Sequence, residues 1–372
     1  MPTISDVARQ AGVSTVTVSR VLNNAPNVNL ATRRRIEQAI QELGYVPNVA
    51  ARSLRSKRTH SLALILPDIT NSFWTTVARG VEDAAQSSGY AVLLCNTDEN
   101  CAKQLRYLQL VASRRVDGVI IAPFDCDVQN IHELRDREIA TVLIDRRIAG
   151  WETDSVRGDS IGGAQALVRH LIGLGHTRIA VVSGPAITST AQDRVDGYRV
   201  ALMEAGISPD PALIKQGEYR SSSGEQLMGQ LMDEGLHPTA VFAANNAIAM
   251  GVIDAATRRG RRIPHDLALV CFDDFDAASH LFPFLTVAVQ PAYEMGVRAA
   301  ELLLSRVEAG AELAPRHVLL PVHLIIRHSC GSHLRDGGSE LALPLAGVAE
   351  ARTVLVEPSS PHTPGNGNGD GP

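Results

Sequence analysis

Two textures of hydrophobic and polar positions divide the chain. From Thr3 to Gly44 the apolar residues recur only at helical spacing, as Val18, Val21 and Leu22 and then Ile36, Ile40 and Leu43, the pattern of short helices that each bury one face. Thr3 followed by Asp6 predicts a capping box ahead of Val7, Ala8 and Ala11, Gly12 ends that helix, and Ser14 caps a second one. The layout is a helix-turn-helix completed by a third helix. Between Tyr45 and Ser61 a Pro-Asn turn and a basic, weakly apolar stretch predict a linker with at most one short helix. From Leu62 onward, short apolar runs (Leu62–Leu66, Tyr90–Cys95, Gly118–Ala122, Thr141–Ile144) alternate with amphipathic stretches of helical length. That alternation predicts an α/β body whose parallel sheet is wound through crossover helices.

The alternation restarts at Arg178–Ser183 and continues through Ala240–Ala244 and Leu267–Phe272, which predicts a second α/β lobe. The first helix of each lobe carries two glycines nine positions apart, Gly80 with Gly89 and Gly197 with Gly206, a hint of duplication. Two open α/β lobes place a ligand between them, at the carboxyl ends of their strands. After Cys330 periodicity is lost, and Glu357–Pro372 is rich in Pro, Gly, Ser and Asn, so 331–372 is expected to be a disordered tail.

Charge sharpens the division. Through His60 nine Arg and Lys stand against three acids, a net charge of +6, which leaves −11 for the remainder of a chain whose net charge is −5. A cationic head on an acidic body implies a polyanionic partner for the head alone. The five cysteines are odd in number, dispersed and never at C-x-x-C spacing, which argues against a disulfide framework or zinc site and suggests reduced thiols. No apolar leader segment and no run of membrane-spanning length is present, so a cytoplasmic protein with no membrane partner is expected.

On the second helix, Ser14–Leu22, the buried positions are Val18, Val21 and Leu22, while Thr15, Val16, Thr17 and Arg20 face outward, where a major groove would lie. Arg20 has the fork to donate two hydrogen bonds to a guanine, and the methyls of Thr15 and Val16 suit thymine. The runs Ile4–Ser14, Thr17–Asn23 and Gly44–Asn48 closely resemble the lactose-repressor (LacI/GalR) family. The resemblance continues through the body to about Arg327 and implies a body similar to periplasmic sugar-binding proteins. It also implies that Asn48–Leu54 fold into a hinge helix on the operator, with Leu54 wedged into the minor groove and Ala51, Arg52 and Arg55 beside it. Asn23 and Asn48 join the candidate DNA contacts, and Arg33, Arg34 and Arg35 are either phosphate contacts or a solvated charge run.

In the body, Phe73 and Trp74 follow the first strand, and in a chain so poor in aromatics two adjacent rings at a cleft mouth suit stacking on a sugar face or a base. One ring is expected in the cleft and the other in the core. The resemblance assigns Arg194 and, opposite it, Asp273 to the effector; a guanidinium facing a carboxylate brackets vicinal hydroxyls, which favours a polyol. Thr190, Tyr219, Asn245 and Gln290 fall at further strand ends, and Asp145–Arg146 is either a cleft contact or an interlobe salt bridge. The chain departs from many relatives at Asn245-Asn246 and Asp159-Ser160, and Thr188 stands where purine-responsive members carry an arginine, which weakens a purine reading. No nucleophile elbow, phosphate loop or H-E-x-x-H is present, and His170 and His176 read as surface or cap residues, so neither catalytic residues, a metal nor a cofactor is expected.

These readings imply residues 1–46 as a DNA-binding domain, 47–60 as hinge and linker, and 61–330 as an effector-binding domain with lobe 1 at 61–159 and 291–320 and lobe 2 at 160–290 and 321–330. The implied function is a regulator, most simply a repressor, that binds double-stranded pseudo-palindromic operator DNA and answers allosterically to a sugar-like small molecule. No C-terminal heptad run supports a tetramer, so a homodimer is expected. Control by a phosphoprotein corepressor is the alternative, and a cytoplasmic solute-binding protein a more distant one.

Overall fold

The computed structural model describes residues 2–22, 25–45, 58–124, 134–275, 284–309, 313–335 and 352–355, and it divides into two units, 1–59 and 60–372. The first unit contains α1 (Ile4–Ala11), α2 (Thr15–Leu22) and α3 (Leu30–Leu43). Thr3 accepts from the Asp6 amide while the Asp6 carboxylate accepts from the Thr3 amide, completing the capping box. Gly12 closes α1 at φ 64°, a left-handed conformation that costs glycine nothing. Val7, Val18 and Ile36 are fully buried, one from each helix, so a handful of side chains carries this small core. Leu22, Ile40 and Leu43 pack at its half-buried edge.

The second unit holds two sheets. In the first, β1 (Ser61–Leu66), β2 (Ala91–Asn96), β3 (Gly118–Ile121), β4 (Ala140–Ile144), β5 (Asp154–Gly158) and β11 (His317–Leu320) run parallel in the order β11-β5-β4-β3-β1-β2. Leu62, Leu64 and Leu66 point to one face, against α4 (Ser72–Ser87) and α10 (Ala292–Ala309). Ala63 and Ile65 point to the other, against α5 (Cys101–Arg114), the period-two alternation of a strand covered on both sides.

The second sheet contains β6 (Ile179–Ser183), β7 (Ile214–Gln216), β8 (Ala240–Ala243), β9 (Ala268–Phe272), β10 (Thr286–Val289), β12 (His323–Ile326) and β13 (Arg352–Leu355) in the order β13-β12-β10-β9-β8-β6-β7. It is flanked by α6 (Ser160–Gly173), α7 (Ser189–Glu204), α8 (Ser221–Asp233) and α9 (Asn246–Arg258). Its pairs are parallel except at β12, which runs antiparallel to both neighbours. The chain passes between the lobes after β5, after β10 and again between β11 and β12.

The repeated glycines have a packing cause. A Cβ on Gly80 would sit 2.2 Å from the Tyr293 carbonyl of α10, and one on Gly197 would sit 2.4 Å from the Ile161 carbonyl of α6, so both permit helix backbones to touch. Two expectations are corrected. The tail is not featureless: α11 (Ser332–Arg335) follows Cys330, and β13 adds an edge strand to β12, its short Arg-Thr-Val-Leu run stabilised by pairing with a distant partner. Cys95, Cys271 and Cys330 are free and buried, but Cys101, which opens α5, is disulfide-bonded and does not stand as a reduced thiol.

Asp154 of β5 anchors the connection from α10 to β11. Fully buried, its carboxylate accepts from Arg306 of α10 at 2.8 and 3.0 Å and from Arg316 Nη2 and the Arg316 amide at 2.9 and 2.8 Å. Burial alone would raise its pKa, but these donors outweigh burial and hold it below the ordinary carboxylate range. Asp154→Ala is expected to destabilise the body by about 3 kcal/mol, the lower end for a broken buried pair because Arg316 is partly solvated. The native ion cluster contributes stability above the unfolded carboxylate pKa, and that contribution is lost as pH falls through the depressed native value. Denaturant melts of both proteins between pH 7 and pH 3 should therefore converge at the acid end.

Candidate functional site

The carboxyl ends of strands from both sheets converge on a cavity of about 550 Å³. Asp145 after β4 and Asp273 after β9 occupy equivalent places in the two lobes. Each is left-handed, at φ 63° and 64°, and each amide donates at 2.8 Å to the neighbouring strand, to Val156 O and to Ala288 O respectively. Aspartate tolerates this conformation better than most residues, and strain of this kind concentrates at functional sites.

Arg194, on the second turn of α7, faces Asp273 at 3.6 Å, donates to the Ala244 carbonyl at 2.6 Å and lies over the Phe272 ring at 3.9 Å. Gln290 stands one layer back, where it donates to Asp273 at 3.0 Å; it does not line the open cavity, and Gly158 leaves room for its Oε1. Burial pushes the Asp273 carboxyl up to about 6 against the pull of Arg194, and burial likewise raises Asp145. Asp145 Oδ1, Gln290 Oε1, Arg146 Nε and Arg194 Nε are all buried without a hydrogen-bond partner in the chain. An unsatisfied buried polar group costs about 1–3 kcal/mol, so three of them on the cavity-lining Asp145, Arg146 and Arg194, with the Gln290 oxygen behind, mark a place built for a polar ligand.

Arg146 lines the cavity, and its salt bridge is within one lobe, to Glu99 at 2.6 and 3.1 Å. Burial disfavours its charge, but Glu99 outweighs burial and keeps it protonated. Tyr219 lies 5.7 Å from that guanidinium and 3.2 Å from the Thr190 hydroxyl, and Gly184 frees the space its ring fills. Asn245 caps α9 by accepting from the Ile248 amide. Both Phe73 and Trp74 line the cavity and both are buried, edge to face at 4.8 Å, which corrects the expectation of one ring in the cleft and one in the core. They sit in the first turn of α4, whose N-terminus opens on the cavity, so neighbours that diverge around the axis still both reach its wall.

The interlobe salt bridge is made one residue further on, by Arg147. Its guanidinium forks onto Asp193 of α7, with Nη2 to Oδ1 at 2.6 Å, and its amide donates to Ser189 Oγ at 3.0 Å. Across the cleft, Asn71 and Asn246 exchange hydrogen bonds at 2.8 and 3.2 Å, and Asn246 also donates to the Asp274 carbonyl. Arg147→Ala is expected to favour the open body and weaken ligand binding by about tenfold at low salt, less at high salt because the pair is partly exposed; calorimetry at two ionic strengths checks this.

In the head, Thr15, Val16 and Arg20 are exposed and Thr17 half-exposed on α2, with Val16 at 59%. Arg34 and Arg35 are exposed on α3, whereas Arg33 is half-buried and donates to the Ala25 carbonyl, a structural contact in place of a free phosphate ligand. Asn23, Asn48, Ala51, Arg52, Leu54 and Arg55 lie outside the described residues. Glu99, Arg147, Asp193, Asn71 and Asn246 escaped the sequence reading as site residues. The polar run Thr97–Asn100 at the end of a predicted strand was the available signal for Glu99. No described cluster of His, Cys, Asp or Glu could hold a metal ion, and no described helix is long and apolar enough to cross a membrane.

A helix-turn-helix head and a two-lobed body with a polar cleft define a DNA-binding regulator with an effector-binding domain. Residues 3–48 match the family of bacterial regulatory proteins called the lacI family, and residues 168–330 match the periplasmic binding protein-like domain. The chain belongs to the lacI family. It is 38% identical over 302 residues to catabolite control protein A of Priestia megaterium, covering 81% of this chain and 91% of that one. Among solved structures it resembles a complex of the transcriptional regulator CelR with cellobiose, at 32% identity and TM-score 0.68, covering 88% of this chain and 100% of that one. It also resembles the Lac repressor dimer bound to operator and the anti-inducer ONPF, at 28% identity and TM-score 0.78, covering 88% and 99%. These relatives are transcriptional regulators, not enzymes.

Proposed function

We propose that this regulator acts in the cytoplasm as a homodimeric repressor that binds a pseudo-palindromic operator and is controlled by a sugar or sugar derivative held between Arg194 and Asp273. The observation that carries the ligand class is the set of three unpartnered buried polar atoms on cavity-lining residues, one acceptor on Asp145 and two donors on Arg146 and Arg194, beside an aromatic wall. A hydroxyl donates and accepts at once, so a polyol satisfies both kinds, and a ring face suits Phe73 and Trp74. The likeness to a cellobiose-bound regulator supports the same class, and the likeness to an operator-bound dimer supports the assembly.

We assign 1–46 to operator reading through Thr15, Val16, Thr17 and Arg20, 47–60 to the hinge, and 61–330 to effector binding. Closure of the lobes through Arg147–Asp193 and Asn71–Asn246 is the two-state element that ligand biases and the hinge senses. The test is calorimetry of the full chain against pentoses, hexoses, disaccharides and purines, alongside sedimentation equilibrium. One saturable carbohydrate and a dimer mass are expected. A carrier phosphoprotein that binds where no carbohydrate does would replace the sugar reading with control by a protein corepressor.

A further inference from the structure

We infer that the cleft selects an uncharged, hydroxyl-rich ligand and rejects sugars that carry a phosphate or carboxylate, with Asp145 enforcing the rejection. This inference rests on the sensing role proposed above and narrows its ligand. Five carboxylates and three guanidiniums line the described cavity, and no lysine does. Phosphate and carboxylate are recognised best by a guanidinium that presents two N–H groups in parallel, and here the two buried forks are engaged. Both terminal nitrogens of Arg146 are on Glu99. Arg194 has one terminal nitrogen on the Ala244 carbonyl, the other facing Asp273, and its plane against Phe272. The third arginine, Arg220, is more than half exposed at the rim and lies 3.4 Å from Glu218. The undescribed internal segments 125–133 and 276–283 contain neither Lys nor Arg, so they supply no further guanidinium or ammonium group.

The unpartnered atoms on cavity-lining residues are single ones: a carboxylate oxygen of Asp145 and one Nε–H each on Arg146 and Arg194. A hydroxyl can accept from the donors and donate to the acceptor. An anionic group cannot donate to that acceptor and brings its charge against Asp145, in a setting where burial already disfavours that carboxylate's own ionisation. Nor do α4 and α9 offer free N-termini, since Asn71 and Asn245 cap them. The rival routes for an anion are the N-termini of α7 and α8, where neither Thr188 nor Arg220 makes a side-chain cap and where Arg220 and Ser221 line the cavity.

The experiment is calorimetry of the full chain with neutral aldoses and disaccharides, their sugar phosphates and their uronic acids, with wild type and Asp145→Asn. The expected result is a neutral sugar that binds at least about 100-fold more tightly than its phosphate and its uronic acid, a gap of roughly 3 kcal/mol. In Asp145→Asn the gap should narrow by about tenfold or more, the neutral sugar losing affinity while the acid does not. The wild-type comparison stands even where the variant fails to fold. A phosphate or uronate that binds as tightly as its neutral parent, docked at α7 or elsewhere, overturns the inference and leaves the sensing role standing. Silence of every compound, with DNA binding intact, overturns both.

Discussion

Arg194→Ala is expected to leave operator binding intact and to abolish the response to effector, with effector affinity falling by about 100-fold or more, roughly 3 kcal/mol for charge-assisted hydrogen bonds. Arg194 is the cation that both Asp145 and Asp273 face, and its removal leaves two buried carboxylates across the cleft, with Arg146 and Arg157 beside Asp145 and no comparable cation beside Asp273 among the described residues. Both carboxyls should then titrate at higher pH, and the face that brackets a hydroxyl pair becomes all acceptor. Arg194→Lys is the informative companion: it restores the charge, but not the planar contact with Phe272 or the simultaneous reach to the Ala244 carbonyl. It should recover only part of the affinity. Calorimetry of ligand binding together with anisotropy of labelled operator separates the expected outcome from general unfolding, which would remove DNA binding as well.

Arg20→Ala is expected to lower operator affinity by about 1–3 kcal/mol and to relax base preference at one position in each half-site. The side chain is exposed on α2 beside Val16, above a core of Val18 and Val21 that its removal does not disturb. Arg34→Ala and Arg35→Ala provide the contrast. Exposed on α3, they should weaken binding to every sequence alike and reduce the slope of log affinity against log salt by about one for each phosphate no longer neutralised. Selection of binding sites by each variant, repeated at two salt concentrations, distinguishes a base reader from a phosphate ligand. An Arg20→Ala protein with unchanged base preference would remove α2 from the recognition role.

Legibility differed between the head and the body for physical reasons. In the head the signals were local: Thr3 caps Asp6 three residues away, Gly12 supplies the left-handed turn, and the Val18–Val21 spacing declares the buried face. The apolar runs of β1, β3 and β4 were equally plain. Strands such as β5, β7 and β13 have three to five residues that mix charged and polar side chains with apolar ones, so no apolar run registers. They exist because a neighbour supplies the hydrogen bonds. The cleft divides along the same line. Asp273 and Arg194 were marked by the resemblance, and Phe73 and Trp74 by composition. The pairs that shape the cleft join residues far apart in the chain: Arg146 to Glu99 across 47 positions, Arg147 to Asp193 across 46, and Asn71 to Asn246 across 175. Only the topology brings such residues together. The symmetry of Asp145 with Asp273 was hidden for a related reason, since it is expressed in backbone angles and strand register while the surrounding residues differ.

The most direct test of the account is a linkage experiment on the intact protein. Operator affinity would be measured by anisotropy with and without saturating neutral sugar, and sugar affinity by Trp74 fluorescence with and without operator. The account predicts that one sugar shifts operator affinity by about 5–150-fold and that operator shifts the affinity for that sugar by the same factor, as reciprocity of coupling requires. A sugar that fills the cleft and leaves operator affinity unchanged would contradict it.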